Sequence, residues 1–351
     1  MRSTWTGALP RAIAGHANAR PRDPARGNGN TTTAMVFNVP RPTIHTSTMP
    51  RGYKPIEIGD KDTFDGYFKR FPPEISEYTF TNLFMWREHY HFSWQLVDGC
   101  LVLLSRKDPS KIIAFPPVGE EPARVLTKVV ADIKAEGLAV ECHRIPESLV
   151  HVIKQSGQLG EFKLDIDVID DRDNWDYVYR TMDLATLEGP RYADFRKKLS
   201  RFNRDHQVEF LKLDETSVGK CLEMQEEWCN LKACKESEGL SRENAAIKDA
   251  FQHWKELGFF GCIMVEDGRI IAYTLGDWLN PTTAVCHIEK ANPRPSFFGA
   301  YQAISRHFAT NCAKDFEFIN REQDIGEPGL RRAKESYNPT SMVKKFILRV
   351  K

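Results

Sequence analysis

GCIMVEDGRIIAYTLGDWLNPTTAVCHIE, residues 261–289, reads as three strands in succession. Asp267 and Gly268 form a dipeptide that favours a tight hairpin turn, so 261–266 and 269–278 pair antiparallel. A further strand, 284–289, follows. Downstream come a predicted helix at 299–313, a strand at 316–319, a polar loop, a short helix at 330–336 and a final strand at 342–350. Upstream lie a helix at 192–206, a strand at 208–213, a long helix at 215–235 and another at 243–257. Val218, Leu222, Trp228 and Leu231 mark the apolar face of the long helix.

The first half of the chain runs in the same order. A strand at 55–58 precedes helices at 61–70 and 78–89, the second carrying Phe80, Leu83, Phe84 and Trp86 at helical spacing. A hairpin, 92–97 and 100–105, turns at Asp98 and Gly99. A helix at 121–136, a strand at 139–143, a short helix at 146–154 and a strand at 162–169 complete the unit. The sequence therefore predicts an α/β protein with mixed sheets, built from two copies of one plan, at 51–180 and 181–351. That element order is the one found in the N-acyltransferase fold.

The chain has 351 residues, 49 of them Lys or Arg and 48 Asp or Glu, so any electrostatic recognition must be local. The longest apolar runs fall far short of the roughly 20 residues of a membrane-spanning helix. Eight scattered cysteines show no CxxC pair and no metal-ligand spacing, which predicts reduced thiols, no metal site and a cytoplasmic protein. Residues 1–50 hold six arginines and one acid and lack hydrophobic periodicity. They read as a disordered tail, with an organellar transit peptide as the alternative.

The chemistry concentrates in INREQDIGEPGLRRAKESYNP, residues 319–339. It follows a predicted strand, at the carboxyl end where α/β folds place ligands. Asn320, Arg321, Glu322, Gln323 and Asp324 are five successive polar side chains that a core strand could not bury. Gly326 and Gly329 bracket Pro328 in a sharp turn, and Arg331, Arg332 and Lys334 supply cations for a phosphate or carboxylate.

This segment, with HIEKANPRPSFFGAYQAI (residues 287–304) and YVYRTMDLATLEGPRYADFRKKLSRFNRDH (residues 177–206), resembles the family of the phosphatidylglycerol lysyltransferase C-terminal domain. The resemblance extends from about Pro55 onward. In the lysyltransferases a related segment, an LRR sequence followed by a Lys, an aromatic and a Pro, corresponds to 330–339. The resemblance implies two tandem GNAT-like (acyl-CoA N-acyltransferase) domains, the second catalytic. It also implies aminoacyl-tRNA as donor and a small-molecule or lipid acceptor, with no bound cofactor.

Acyl transfer needs a base, an oxyanion stabiliser and an acid for the leaving group. Glu289 and His287 share one strand face, and Glu289 is the leading base, with an ion pair to Lys290 or Arg294 as the alternative. His287 is either a substrate-binding group or a satisfied core histidine. Asp324 is a second carboxylate, which could instead cap the Gly326 turn. Tyr337 occupies the place of a tyrosine acid, or it packs. Asn320, Arg321, Glu322, Gln323, Arg331, Arg332 and Lys334 are expected to orient substrate.

Coenzyme A users hold pyrophosphate on a Gly-rich turn, whereas here only Gly299 and Ala300 open the helix. On the helix at 192–206, Tyr192, Phe195, Leu199 and Phe202 make a buried stripe. They leave Arg196, Lys197, Arg201 and Arg204 as a phosphate footprint, or as a solvated face. Both features favour an aminoacyl-tRNA donor; acyl-coenzyme A and a non-catalytic tRNA- or protein-binding module are the alternatives.

Overall fold

The structure is a computed structural model that describes residues 49–156 and 164–351. Most of the tail predicted at 1–50 lies outside the described residues. Two seven-stranded mixed sheets carry the fold. The first runs β1 (Lys54–Pro55), β2 (Phe92–Val97), β3 (Cys100–Ser105), β4 (Ile112–Ala114), β5 (Val140–Pro146), then β14 (Lys345–Val350) and β6 (Ile166–Asp170). The second runs β8 (Glu209–Lys212), β9 (Cys262–Glu266), β10 (Arg269–Asn280), β11 (Thr283–Ala291), β12 (Phe318–Asn320), then β7 (Asp176–Arg180) and β13 (Ser341–Val343).

Each sheet holds one parallel pair, β4 with β5 and β11 with β12, beside an antiparallel hairpin. The two copies also trade a strand. β14, from the end of the chain, sits between β5 and β6, and β7, from the connection between the halves, sits between β12 and β13. The single strand expected at 342–350 is accordingly two strands in different sheets, separated by Lys344. Likewise β7 belongs to the second sheet although it precedes residue 181. This exchange cannot be read from hydrophobic pattern, because an exchanged strand and a retained one bury the same face.

The apolar core follows the exchange. One cluster combines Phe64, Phe68, Phe80, Leu83 and Phe84 from the first half with Met224, Trp228, Ile247, Phe251 and Tyr273 from the second. Separate clusters lie under β3 to β5 and under β11 and β12. The helix Phe80–Tyr90 is buried over its first six residues, and Thr79 caps it by accepting from the Asn82 amide.

Smaller departures have local causes. The helix expected at 215–235 stops at Leu231, because Ala233 adopts a left-handed conformation (φ 50°). That turn brings the Cα atoms of Cys229 and Cys234 to 5.0 Å, and the two form a disulfide. The expectation of reduced thiols is corrected for this pair; the other six cysteines are free. No described helix is long and apolar enough to cross a membrane.

Candidate active site

The parallel pairing of β11 with β12 ends at Val285 and Asn320. Beyond that point the two strands no longer pair, at the carboxyl end of β12. β11 continues through His287 and Glu289 on one side. The loop 321–327 and the helix Pro328–Ser336 form the other.

Glu289 Oε1 accepts from Arg321 Nη2 at 2.8 Å, and both side chains are nearly buried. The alternatives are taken elsewhere: Lys290 pairs with Glu243, and Arg294 with Glu227. Burial raises the Glu289 pKa despite the opposing charges of Arg321 and Lys334. Arg321 Nη1 is buried and has no hydrogen-bond partner. Such an orphaned donor costs free energy until a ligand oxygen satisfies it.

The Arg321 guanidinium lies 4.4 Å from the centre of the Tyr337 ring. Burial pushes the Tyr337 phenol up to about 12, and the charge of Arg321 opposes the rise. Ser305, on the helix Ala300–His307, lies beside both Glu289 and Tyr337. Lys334 reaches back from its helix to donate to the Arg321 carbonyl oxygen. Burial and the Arg321 charge bring Lys334 down to about 8.

His287 sits beside this cluster with its side chain 2% exposed. Its Nδ1 lies 2.6 Å from Glu322 Oε1 and its Nε2 2.9 Å from the Thr79 hydroxyl. Asn82 Nδ2 donates to the same Glu322 oxygen at 2.9 Å. Glu322 holds a left-handed backbone (φ 58°), fixed by its amide donating to Asn320 Oδ1 at 2.8 Å. A non-glycine residue there costs on the order of 1–3 kcal/mol and persists only where its surroundings over-determine it.

Asp324 is fully buried and saturated. It accepts from Tyr177 at 2.6 Å, Arg172 at 3.1 Å, Arg331 at 2.9 Å through both oxygens, and the Gly326 amide at 2.9 Å. Although burial works against it, the bonds from Arg331, Tyr177 and Gly326 hold its pKa well below the usual carboxylate range. Asp324 and Arg331 therefore shape the loop, and no lone pair is left for a substrate proton. Gln323 lies 3.4 Å from the Ser76 hydroxyl, and Arg332 is exposed on the outer side of the helix.

Asn320 donates to Asp176 Oδ2 at 3.1 Å and belongs to a buried charge cluster. There Lys345 Nζ lies 2.6 Å from both Glu77 and Asp176, and Ser76 donates to Asp176 twice at 2.8 Å. These residues occupy the crossing of the exchanged strands: Asp176 opens β7 and Lys345 opens β14. Sequence reasoning missed Ser76, Glu77, Thr79, Asn82, Asp176, Ser305 and Lys345. Only Lys345, a charge at the start of an apolar strand, gave a signal.

Gly299 and Ala300 are committed to packing. A Cβ on Gly299 would stand 2.6 Å from the Lys198 carbonyl oxygen, and Ala300 is buried. On the helix Ala193–Asp205, Arg196 donates to the Leu187 and Gly189 carbonyls, and Lys197, Arg201 and Arg204 are exposed. Among the described residues, no group of three or more His, Cys, Asp or Glu is arranged to hold a metal.

Sheet order, parallel splay and strand exchange define a tandem GNAT-like fold. The chain belongs to the family described as phosphatidylglycerol lysyltransferase, C-terminal, whose model matches residues 68–349. A conserved protein of unknown function from Bacteroides thetaiotaomicron is similar at 29% identity and TM-score 0.78, over 86% of this chain and 99% of that one. The C-terminal domain of a putative lysylphosphatidylglycerol synthetase from Agrobacterium fabrum shares 14% identity at TM-score 0.58, over 83% and 91% of the two chains. L-PGS from Bacillus licheniformis shares 11% at 0.59, over 86% and 94%. The last two likenesses are of fold. No curated protein matches the chain by sequence.

Proposed function

We propose that this protein is an aminoacyltransferase that moves an aminoacyl group from aminoacyl-tRNA to an amine or hydroxyl, with the half at 181–351 catalytic. The observation that carries the reading is the buried Glu289–Arg321 pair, with its unsatisfied Nη1, at the splay of β11 and β12. Membership in the lysyltransferase C-terminal family supports the same class of chemistry.

In this scheme Glu289 accepts the proton of the attacking nucleophile, directly or through water, as a carboxylate of raised pKa can near neutrality. The nucleophile bonds to the ester carbonyl carbon, and the carbonyl oxygen gains negative charge. Arg321 Nη1 donates to that oxygen, with Lys334 adding positive charge nearby. As the tetrahedral species collapses, the bond to the ribose oxygen breaks and Tyr337 protonates it. The proton held by Glu289 returns to Tyr337 by way of Ser305. His287, Glu322, Thr79 and Asn82 form the polar wall that fixes the acceptor.

Gly299 packs its face against the basic helix, and the turn lacks the run of glycines that brings backbone amides close to a pyrophosphate, which supports a tRNA donor over coenzyme A. The test is transfer from tRNA charged with labelled amino acids to a metabolite and lipid extract. Release of label from tRNA that depends on Glu289 supports the proposal. Equal release by Glu289→Gln, or transfer only from acyl-coenzyme A, refutes it.

A further inference from the structure

Phe298 is 48% exposed on the connection between β11 and the helix Ala300–His307. An isolated exposed ring is ordinary. This one is held on a pinned loop and faced by cations. The Arg201 guanidinium lies 5.3 Å from its centre and Lys198 Nζ 5.9 Å. Gly299 (φ +105°) presses against the Lys198 carbonyl and Phe202, so a side chain there would force the loop away from the helix. On the other side Phe297 stacks on His206 at 4.8 Å, His206 stacks on Phe202 at 4.8 Å, and a ring nitrogen of His206 contacts the Ser296 carbonyl oxygen at 2.8 Å.

The helix beneath carries five cations against two acids. Its apolar residues Phe195, Leu199 and Phe202 are all turned into the core, so it keeps no apolar face to lie in a bilayer. What it offers outward is positive charge beside a single rigid ring, the combination that binds unpaired nucleobases and their phosphates. Position gives the patch its meaning. The helix that starts two residues after Phe298 reaches Ser305, beside Glu289 and Tyr337, after a rise of roughly 7 Å at 1.5 Å per residue. That is the scale of one nucleotide with an acyl group on its ribose.

We propose that Phe298, flanked by Lys198 and Arg201, is the stacking platform for an unpaired nucleobase at the 3′ end of the donor RNA. The platform would set the distance from that base to the Glu289 centre. This rests on the aminoacyl-tRNA reading above. Arg201 and Lys198 hold the adjoining phosphates, and the ring supplies affinity without base identity.

The experiment measures binding of the full chain to tRNA, to tRNA trimmed of its unpaired 3′ nucleotides, and to vesicles containing phosphatidylglycerol, by fluorescence anisotropy and co-sedimentation. Phe298→Ala is expected to weaken intact tRNA by about five- to a hundred-fold, and Phe298→Tyr to stay within about two-fold of wild type. Trimming should weaken the wild type by a similar factor and leave Phe298→Ala unchanged. Equal binding of intact tRNA by wild type and Phe298→Ala overturns the stacking site while leaving the tRNA donor standing. Loss of vesicle binding alone in Phe298→Ala overturns it in favour of a membrane contact. A wild-type chain that binds no tRNA at low salt overturns both this inference and the donor reading.

Discussion

Replacing Lys345 with Met should destabilise the fold far more than replacing its neighbour Lys344. Lys345 is wholly buried with Glu77 and Asp176, and its ammonium is 2.6 Å from each. Removing one partner of a buried ion pair typically costs about 3–5 kcal/mol, because the charges left behind stay desolvated. The local bonds place this case near 3 kcal/mol: Arg144 remains 3.1 Å from Glu77, and Asp176 keeps Ser76 and Asn320 as donors. At about 2 °C per kcal/mol for a chain of this size, Tm should fall by roughly 6 °C. Lys344 pairs with Glu147 at the surface, so Lys344→Met should cost at most about 0.5 kcal/mol. Calorimetry and urea titration measure both. The double variant Lys345→Met with Asp176→Asn should recover part of the loss, since it removes the buried negative charge as well. Equal Tm for Lys345→Met and Lys344→Met would refute the claim that this cluster locks the strand exchange.

Other expectations bear on the site. Arg321→Lys, which removes the planar fork, should lower kcat about 10²–10³-fold with little change in tRNA affinity, as steady-state kinetics would show. The pH profile of kcat/KM should rise with pH as Glu289 loses its proton, through a pKa raised above the ordinary carboxylate value. It should fall again as Lys334 deprotonates near 8, and Lys334→Arg should move that falling limb upward. Gly299→Ala forces a left-handed backbone and a clash with Lys198, and should cost about 1–2 kcal/mol in urea unfolding. Affinity for tRNA should fall steeply with salt, and Arg204→Ala should lower the slope of log K against log salt by about one.

The fold was legible where periodicity and turn chemistry agreed. Asp98-Gly99 and Asp267-Gly268 set both hairpins, and the stripe Tyr192, Phe195, Leu199, Phe202 set the basic helix. Three-residue β4 was invisible, since three residues define no period. β7 was missed because its alternation is masked by four buried residues in a row. The site was half legible. The run from Asn320 to Asp324 announces polar residues at a strand end, but the sequence does not separate Arg321, which pairs with Glu289, from Asp324, which ties down the loop. That division depends on Arg172, Tyr177 and Arg331 arriving from three other segments. Thr79, Asn82 and Ser76 come from the first half, more than two hundred residues from the loop they support.

The central claim is that Glu289 and Arg321 catalyse aminoacyl transfer from tRNA. The most direct measurement is single-turnover transfer by the full chain, with labelled aminoacyl-tRNA and a cell extract as acceptor source, comparing wild type with Glu289→Gln. The account requires label to leave the tRNA and appear on an amine or hydroxyl product, with the rate falling about 10²–10⁴-fold in Glu289→Gln while tRNA binding is retained. Transfer at the same rate in the variant, or no transfer by a wild type that binds charged tRNA, would contradict it.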